Sequence, residues 1–223
     1  MNIKHTLPII YIKMIYVIGD SHSIFYADSM NNGIKHYWFG MQGLPVTTYT
    51  LLHDQHHIMD FPRRMMSPTP GDPYPVKGDV VMFSYGWNDI QKNIHKYAQT
   101  NWKNTINNII IPYCQYLKYA ETHYGIRAIA NCIYPNPHSV NSEINGSIEE
   151  RRLYALYANN LLRDECEKIG IAFFDILDII VDVNGFIVYE LTDDGTHLDR
   201  KNKELRCIIE TSLHNLSKTI LEK

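Results

Sequence analysis

The chain has 223 residues, of which 45% are hydrophobic and 20% charged, and its formal net charge is −3. This composition argues against disorder, and the length favours one domain with a full hydrophobic core. A weak negative charge without a basic stripe argues against a nucleic acid or an anionic membrane surface as partner. The cysteines are widely spaced and expected to be reduced, which excludes a zinc ribbon and a CxxC redox site: Cys114, Cys132, Cys166 and Cys207.

The N-terminal segment from residue 6 to residue 18 is apolar and has some features of a signal peptide. Lys13 interrupts it, no small-residue cleavage site follows, and it is too short to span a bilayer comfortably. We therefore expect a cytoplasmic protein. Residues 1–13 are interpreted as an extension, with Met14 as an alternative start, and residues 14–223 as a single domain.

The predicted elements begin with an apolar run at residues 15–18, which is typical of a parallel strand buried on both faces. A helix is expected near residues 22–32, and residues 44–52 are expected to form a second strand or the loop leaving one. Residues 61–78 hold five prolines and two glycines, which predicts a surface loop. Another buried strand is predicted over residues 79–84.

The second half of the chain continues this alternation. Apolar residues recur at helical spacing over residues 100–123, where Pro112 is expected to kink or split the helix, and a strand follows over residues 126–133. Ser147 begins a predicted capping box, and its helix is expected to end at Gly170. The remaining predictions are a strand over 171–176, a hairpin-like segment at Gly185, a polar loop over 192–199 and a helix over 201–221.

The repeated order of strand and helix predicts a parallel sheet that is covered by helices on both faces. With right-handed crossovers, it predicts an α/β fold: a flavodoxin-like three-layer α/β/α sandwich with a five-stranded parallel sheet. Ligands bind such sheets at the carboxyl ends of the strands. The polar loops at those ends are therefore the candidates for a functional site.

Three polar clusters occupy such positions: Gly-Asp-Ser at 19–21, Gly-Trp-Asn-Asp at 86–89 and Asp-Gly-Thr-His at 194–197. Each is common by chance, but their order and spacing together suit acyl transfer from an ester. That reaction needs a hydroxyl nucleophile, a base, an acid that orients the base, and donors for the developing oxyanion. The clusters contain all of these residue types.

The three clusters resemble the first, third and fifth sequence blocks of the SGNH (GDSL-type) hydrolases, and the similarity covers essentially residues 14–221. The resemblance implies ester hydrolysis with Ser21 as nucleophile and His197 as base. It implies Asp194 as the partner that orients His197, although the neighbouring Asp193 competes for this role. It implies no cofactor.

The resemblance also implies three oxyanion donors. They are the Ser21 N–H group, the Asn88 side chain and a glycine after the second strand, for which Gly43 is favoured over Gly40. The Gly-Asp-Ser-His-Ser start resembles a subset of these proteins from microbial and large-virus genomes. The third block departs from that subset, because Gly-Trp-Asn-Asp-Ile-Gln replaces an acidic segment that contains Cys and Arg.

Several residues near these blocks have competing interpretations. His22, Tyr85 and Trp87 are candidates to line the substrate, but a helix-start role is favoured for His22, and the two aromatic residues are equally suited to the core. His53 and His57 have the spacing of metal ligands on a helix, yet the sequence offers no obvious third ligand. We therefore predict no metal.

The predicted substrate is a small-molecule or glycan ester, and the resemblance favours a carbohydrate O-acetyl ester. The alternatives are a sugar O-acyltransferase on the same scaffold and a catalytically silent glycan-binding protein. The sequence does not indicate an oligomeric state.

Overall fold

The sheet is parallel throughout in the computed structural model, which describes residues 14–27, 33–38, 75–97, 101–136 and 146–222. Its strands lie in the order β2-β1-β3-β4-β5, which is the order of a doubly wound α/β sheet. The prediction of an α/β fold with a parallel sheet is therefore confirmed. The strands are β1 (Ile15–Gly19), β2 (Ile34–Trp38), β3 (Val80–Ser84), β4 (Arg127–Asn131) and β5 (Ala172–Phe174).

Among the described residues, the helices fall mainly in the second half of the chain. The α-helices of these residues are α1 (Ile94–Tyr97), α2 (Trp102–Tyr124), α3 (Ile148–Ile169), α4 (Leu177–Ile180) and α5 (Lys203–Leu221). Ser21–Tyr26 and Tyr189–Leu191 form 3-10 helices, and Asn88–Asn93 forms a π-helix. None of the helices in these described ranges has the length and apolar character needed to cross a membrane.

Alternate side chains of the strands supply two separate hydrophobic clusters. Tyr16 and Ile18 of β1 belong to a cluster completed by buried residues of α2 and α3. Ile15 and Val17 belong to a second cluster completed by residues of α5. Because successive side chains of a strand point to opposite faces, the two clusters lie on opposite faces of the sheet.

The long helix α3 begins and ends as its sequence signals predict, whereas α2 differs from its prediction at Pro112. Ser147 and Glu150 form a complete capping box at the start of α3, and Gly170 ends that helix with a positive φ of 71°. Pro112 lies inside α2, which continues through it as one helix. Pro112 was predicted to kink or split this helix: the split is wrong, and the kink stays a prediction.

Two predictions near the N-terminus need correction. The second strand along the chain is β2, which the sequence pattern did not predict because Lys35 and His36 interrupt its apolar residues. The helix expected near residues 22–32 is a 3-10 helix over Ser21–Tyr26 in its described part. Residues 1–13 and 44–52 lie outside the described residues, so their interpretation stays a prediction.

The close approach of β1 and β3 explains the glycine that ends β1. Gly19 pairs with Ser84, and a Cβ atom on Gly19 would lie 2.3 Å from the Ser84 carbonyl oxygen and 2.8 Å from the Ser84 Cβ. The next residue, Asp20, donates its N–H to that same carbonyl at 3.0 Å. Any side chain at position 19 would therefore push the two strand ends apart.

We predict that Gly19→Ala lowers the free energy of unfolding by about 3 kcal/mol, because the new methyl group clashes with backbone rather than with a flexible side chain. Gly170→Ala is the matched control, since nothing lies within 4 Å of its Cβ position and only its positive φ of 71° is unfavourable. We expect Gly170→Ala to lower the free energy of unfolding by about 1 kcal/mol. Urea denaturation of both variants measures the difference, and equal costs would contradict the steric explanation.

Candidate active site

Ser21 is held at the carboxyl edge of the sheet by the turn that follows β1. Asp20 is the N-cap of the 3-10 helix that Ser21 begins, and its carboxylate oxygen Oδ1 accepts the His22 N–H at 3.0 Å. The Asp20 carbonyl accepts the Ser23 N–H at 3.0 Å and the Ser23 hydroxyl at 2.6 Å. These local bonds direct the chain across the end of the sheet directly after the strand.

His197 is held by a tight turn in the loop before α5. The Asp194 oxygen Oδ1 accepts the N–H groups of Thr196 and His197, both at 2.8 Å. Gly195, which lies between Asp194 and Thr196, has a positive φ of 78°. Leu198, which is 2% exposed, anchors the end of the turn in the core. The turn therefore sets the orientation of Asp194 and His197 relative to each other.

The structure brings Ser21, His197 and Asp194 into one line of hydrogen bonds. The Ser21 Oγ atom lies 3.0 Å from His197 Nε2, and His197 Nδ1 lies 2.7 Å from Asp194 Oδ2. Ser21 and His197 are 176 residues apart in the chain. These contacts have the geometry of a hydroxyl beside a base whose second nitrogen is oriented by a carboxylate.

The electrostatics of this line favour an ionised Asp194. Partial burial raises its pKa, but hydrogen bonds from the His197 backbone and ring and from the Thr196 backbone outweigh that effect and lower the pKa to about 2. The Asp194 side chain remains 53% exposed. A carboxylate that is ionised over the whole working pH range keeps the proton on His197 Nδ1 and leaves Nε2 to accept from Ser21.

Asp193 is not the carboxylate that contacts the His197 ring nitrogen. Its N–H donates to the His197 carbonyl at 3.0 Å, and burial, followed by the neighbouring Asp194 charge, raises the pKa of its carboxyl. Ligand atoms of Asp193, Asp194 and His197 do lie within 4.8 Å of one another. Both Asp194 oxygens already accept hydrogen bonds within the turn, so this cluster gives no independent indication of a metal.

Asn88 lies at the same edge of the sheet, at the start of the π-helix that follows β3. It is 8% exposed, and its backbone carbonyl accepts the Asn93 side-chain amide at 2.8 Å. Gly86 before it has a φ of 109°, and a Cβ there would lie 2.8 Å from the Ile133 side chain. The sequence did not predict this π-helix, because a π-helical turn has no sequence pattern of its own.

The described residues do not include the glycine predicted as third oxyanion donor or the histidine pair with the spacing of metal ligands. Gly43 and Gly40 lie outside the described residues, as do His53 and His57. The roles assigned to the two glycines therefore stay predictions.

The residues considered as substrate-lining are all buried. His22, Tyr85 and Trp87 are 4%, 3% and 8% exposed. Tyr85 belongs to the core beside Tyr113, whereas the His22 ring contacts those of Trp87 and His197. Little of their surface is available to a substrate, and the contact between His22 and His197 has no signal in the sequence.

A small pocket lies at the ends of β1, β3 and β4. Burial, with a further contribution from the charge of Asp89, raises the pKa of the Asp20 carboxyl in its wall to about 8, although the His22 N–H opposes the shift. Asp20 is therefore largely protonated at neutral pH. The residues that line the pocket are Asp20, His22, Ser84, Tyr85, Trp87, Cys132, Ile133 and Tyr134.

Comparison with known proteins identifies the fold. Neither a protein-family model nor a curated protein matches the chain in sequence. A GDSL-like lipase from Bacteroides thetaiotaomicron matches in structure with a TM-score of 0.66 at 15% identity, over 95% of this chain and 91% of that one. An acetylxylan esterase from Geobacillus stearothermophilus matches with a TM-score of 0.53 at 12% identity, over 92% and 94%.

We predict that Asp20→Asn removes a pH-dependent loss of stability. The pKa of the Asp20 carboxyl is about 8 in the folded chain, whereas its reference value, which applies to the unfolded chain, is 3.8. Between these two pH values only the unfolded chain loses the Asp20 proton. The unfolding free energy of the wild type should therefore fall relative to the variant, by at most about 1.4 kcal/mol per pH unit, as pH rises from 4 to 8.

Asn keeps the oxygen that accepts the His22 N–H, so the variant preserves the turn. Urea denaturation of both proteins at several pH values between 4 and 9 gives the difference. A difference that stays constant over this range would refute a protonated Asp20.

Proposed function

We propose, from the premise that the chain has the fold of the SGNH/GDSL hydrolases, that it is a serine-dependent hydrolase of small acyl esters. In this proposal the flavodoxin-like three-layer α/β/α arrangement delivers the three polar clusters to one edge of the sheet. Ser21 is the nucleophile, His197 the general base and Asp194 the orienting carboxylate.

The observation that carries the proposal is the pair of distances through His197. A serine hydroxyl 3.0 Å from one ring nitrogen and a carboxylate 2.7 Å from the other are the contacts that proton transfer from the hydroxyl requires. An ordinary turn serine has no need of an oriented histidine. The alternative role for Ser21, a helix-start residue, explains its position but not its contact with His197.

In the proposed reaction the Ser21 oxygen attacks the ester carbonyl while His197 Nε2 takes its proton. The resulting imidazolium is stabilised by Asp194, and the oxyanion is held by the Ser21 N–H, by the Asn88 side chain and by Gly43 or Gly40. Collapse of the intermediate expels the alcohol with the proton from His197 and leaves an acyl group on Ser21. Water, deprotonated by His197, then releases the acid and restores the hydroxyl.

The substrate class that we propose is a carbohydrate O-acetyl ester. The acetylxylan esterase among the structural neighbours and the 16 tyrosines, whose rings suit contact with sugars, support this choice. Release of acetate from acetylated xylan, compared with release from long-chain p-nitrophenyl esters, tests it. A preference for long acyl chains would contradict the acetyl assignment. The same assay with an added sugar acceptor shows whether the acetyl group is released to water by hydrolysis or transferred to the sugar.

We predict that Ser21→Ala and His197→Ala each lower kcat/KM for p-nitrophenyl acetate by about 10³-fold or more, because each removes a group that acts in the same step. Ser212→Ala on α5 serves as the control and should keep wild-type activity. A fluorophosphonate probe should label the wild type and Ser23→Ala but not Ser21→Ala. This result would show that the probe reacts with Ser21 and not with the nearby Ser23. Equal hydrolysis by all variants would refute the proposal.

We predict different results for the two neighbouring carboxylates. Asp194→Asn should lower kcat by about 10³-fold, since the amide favours the wrong His197 tautomer and does not stabilise its imidazolium. Asp193→Asn should stay within about threefold of the wild type, because its side chain does not contact the ring nitrogen. Steady-state kinetics of the matched pair decides the assignment, and a larger loss in Asp193→Asn would reverse it.

A further inference from the structure

The ring of His22 makes a three-ring contact beside Ser21. Its centroid lies 4.4 Å from that of Trp87 at an interplanar angle of 37°, and 4.6 Å from that of His197 at 33°. At these short distances the rings are tilted toward each other and meet partly through their faces. Tyr134 contacts His22 differently, edge-on at 5.6 Å and 85°.

His22 is an unusual residue for such a position. It is 4% exposed, and neither of its ring nitrogens has a hydrogen-bond partner among the described residues. Burial, and then the proximity of His197, hold the pKa of His22 well below its usual value, so the ring is neutral. The hydrogen bonds that normally stabilise a buried imidazole do not explain its presence here, which leaves its aromatic contacts.

The contact with His197 restrains a motion that the triad contacts leave free. Ser21 and Asp194 hold the two nitrogens of His197 in the plane of the ring, but the ring remains 26% exposed. The His22 ring, packed against the face of the His197 ring, opposes tilting of His197 out of the plane that contains its two hydrogen bonds. A neutral aromatic face also favours the imidazolium that forms on proton transfer, whereas a second cation would repel it.

We propose that His22 is a positioning residue: supported by Trp87, its ring keeps the His197 ring in the plane that joins Ser21 to Asp194. This inference rests on the proposed function and adds a residue to it. It adds a role for the His22 ring to the helix-start interpretation, which the bond from the His22 N–H to Asp20 supports, and it is an alternative to the substrate-lining interpretation. The property that matters is the aromatic face of His22 and not its nitrogens.

The test compares His22→Phe, which keeps an aromatic face, with His22→Ala, which removes it. For p-nitrophenyl acetate we expect His22→Ala to lower kcat about tenfold with KM within about twofold, and His22→Phe to stay within about threefold of the wild type. In a His197→Ala background, His22→Ala should have no further effect, because its partner is gone. Circular dichroism at the assay temperature verifies folding.

A second readout does not depend on esterase activity. The downfield proton resonance of the His197 Nδ1–H group, which reports its hydrogen bond to Asp194, should weaken or shift in His22→Ala and persist in His22→Phe. If His22→Ala does not fold, Trp87→Leu removes the support of His22 and should lower kcat in the same direction.

The outcomes separate the two proposals. Wild-type kcat and an unchanged resonance in His22→Ala would overturn the positioning role, as would equal losses in His22→Ala and His22→Phe. If the wild type itself hydrolyses no ester and Ser21 is not labelled, the proposed function fails, while the resonance still tests the contact between the rings.

Discussion

The Asp20 N–H donates to the Ser84 carbonyl at 3.0 Å, at a point where β1 and β3 are too close for a side chain on Gly19. Ser21 follows this contact by one residue on one strand, and Trp87 and Asn88 follow it by three and four residues on the other. Because the contact joins the two strand ends, both loops leave the sheet at the same edge. The contacts between the Ser21 turn and the residues after β3 depend on this backbone approach.

Three carboxyl groups near this edge show how burial and hydrogen bonding set charge. Asp20 is 1% exposed and its pKa rises to about 8, whereas Asp194 accepts three hydrogen bonds at a partly exposed turn and its pKa falls to about 2. The pKa of Asp193 is raised by burial and by the charge of its neighbour Asp194. The carboxylate whose pKa is lowered is therefore the one that contacts His197, and the buried Asp20 adds little charge to the interior of the strand end. The neutral His22 beside His197 likewise adds no charge to this part of the interior.

Much of the fold could be predicted because its signals are local. Apolar runs predicted four of the five strands, and the capping box at Ser147 and the glycine at 170 predicted both ends of α3. β2 was missed because Lys35 and His36 break the apolar pattern; it lies at the edge of the sheet, where strands often carry charged residues. Pro112 was expected to kink or split α2, and it does not split the helix, because packing of the long helix against α3 and the sheet outweighs one lost backbone hydrogen bond.

By itself, the sequence determined the alternation of strands and helices and the three polar clusters, because periodicity, caps and turn residues act over a few positions of the chain. Only the tertiary structure decided which side chains meet: Ser21 with His197 across 176 residues, Asp194 rather than Asp193 on the ring nitrogen, and His22 against both Trp87 and His197. Such contacts depend on strand order, on the approach of backbones and on the direction of side chains at the edge of a sheet. No short stretch of sequence contains that information, since each contact joins segments that are distant in the chain.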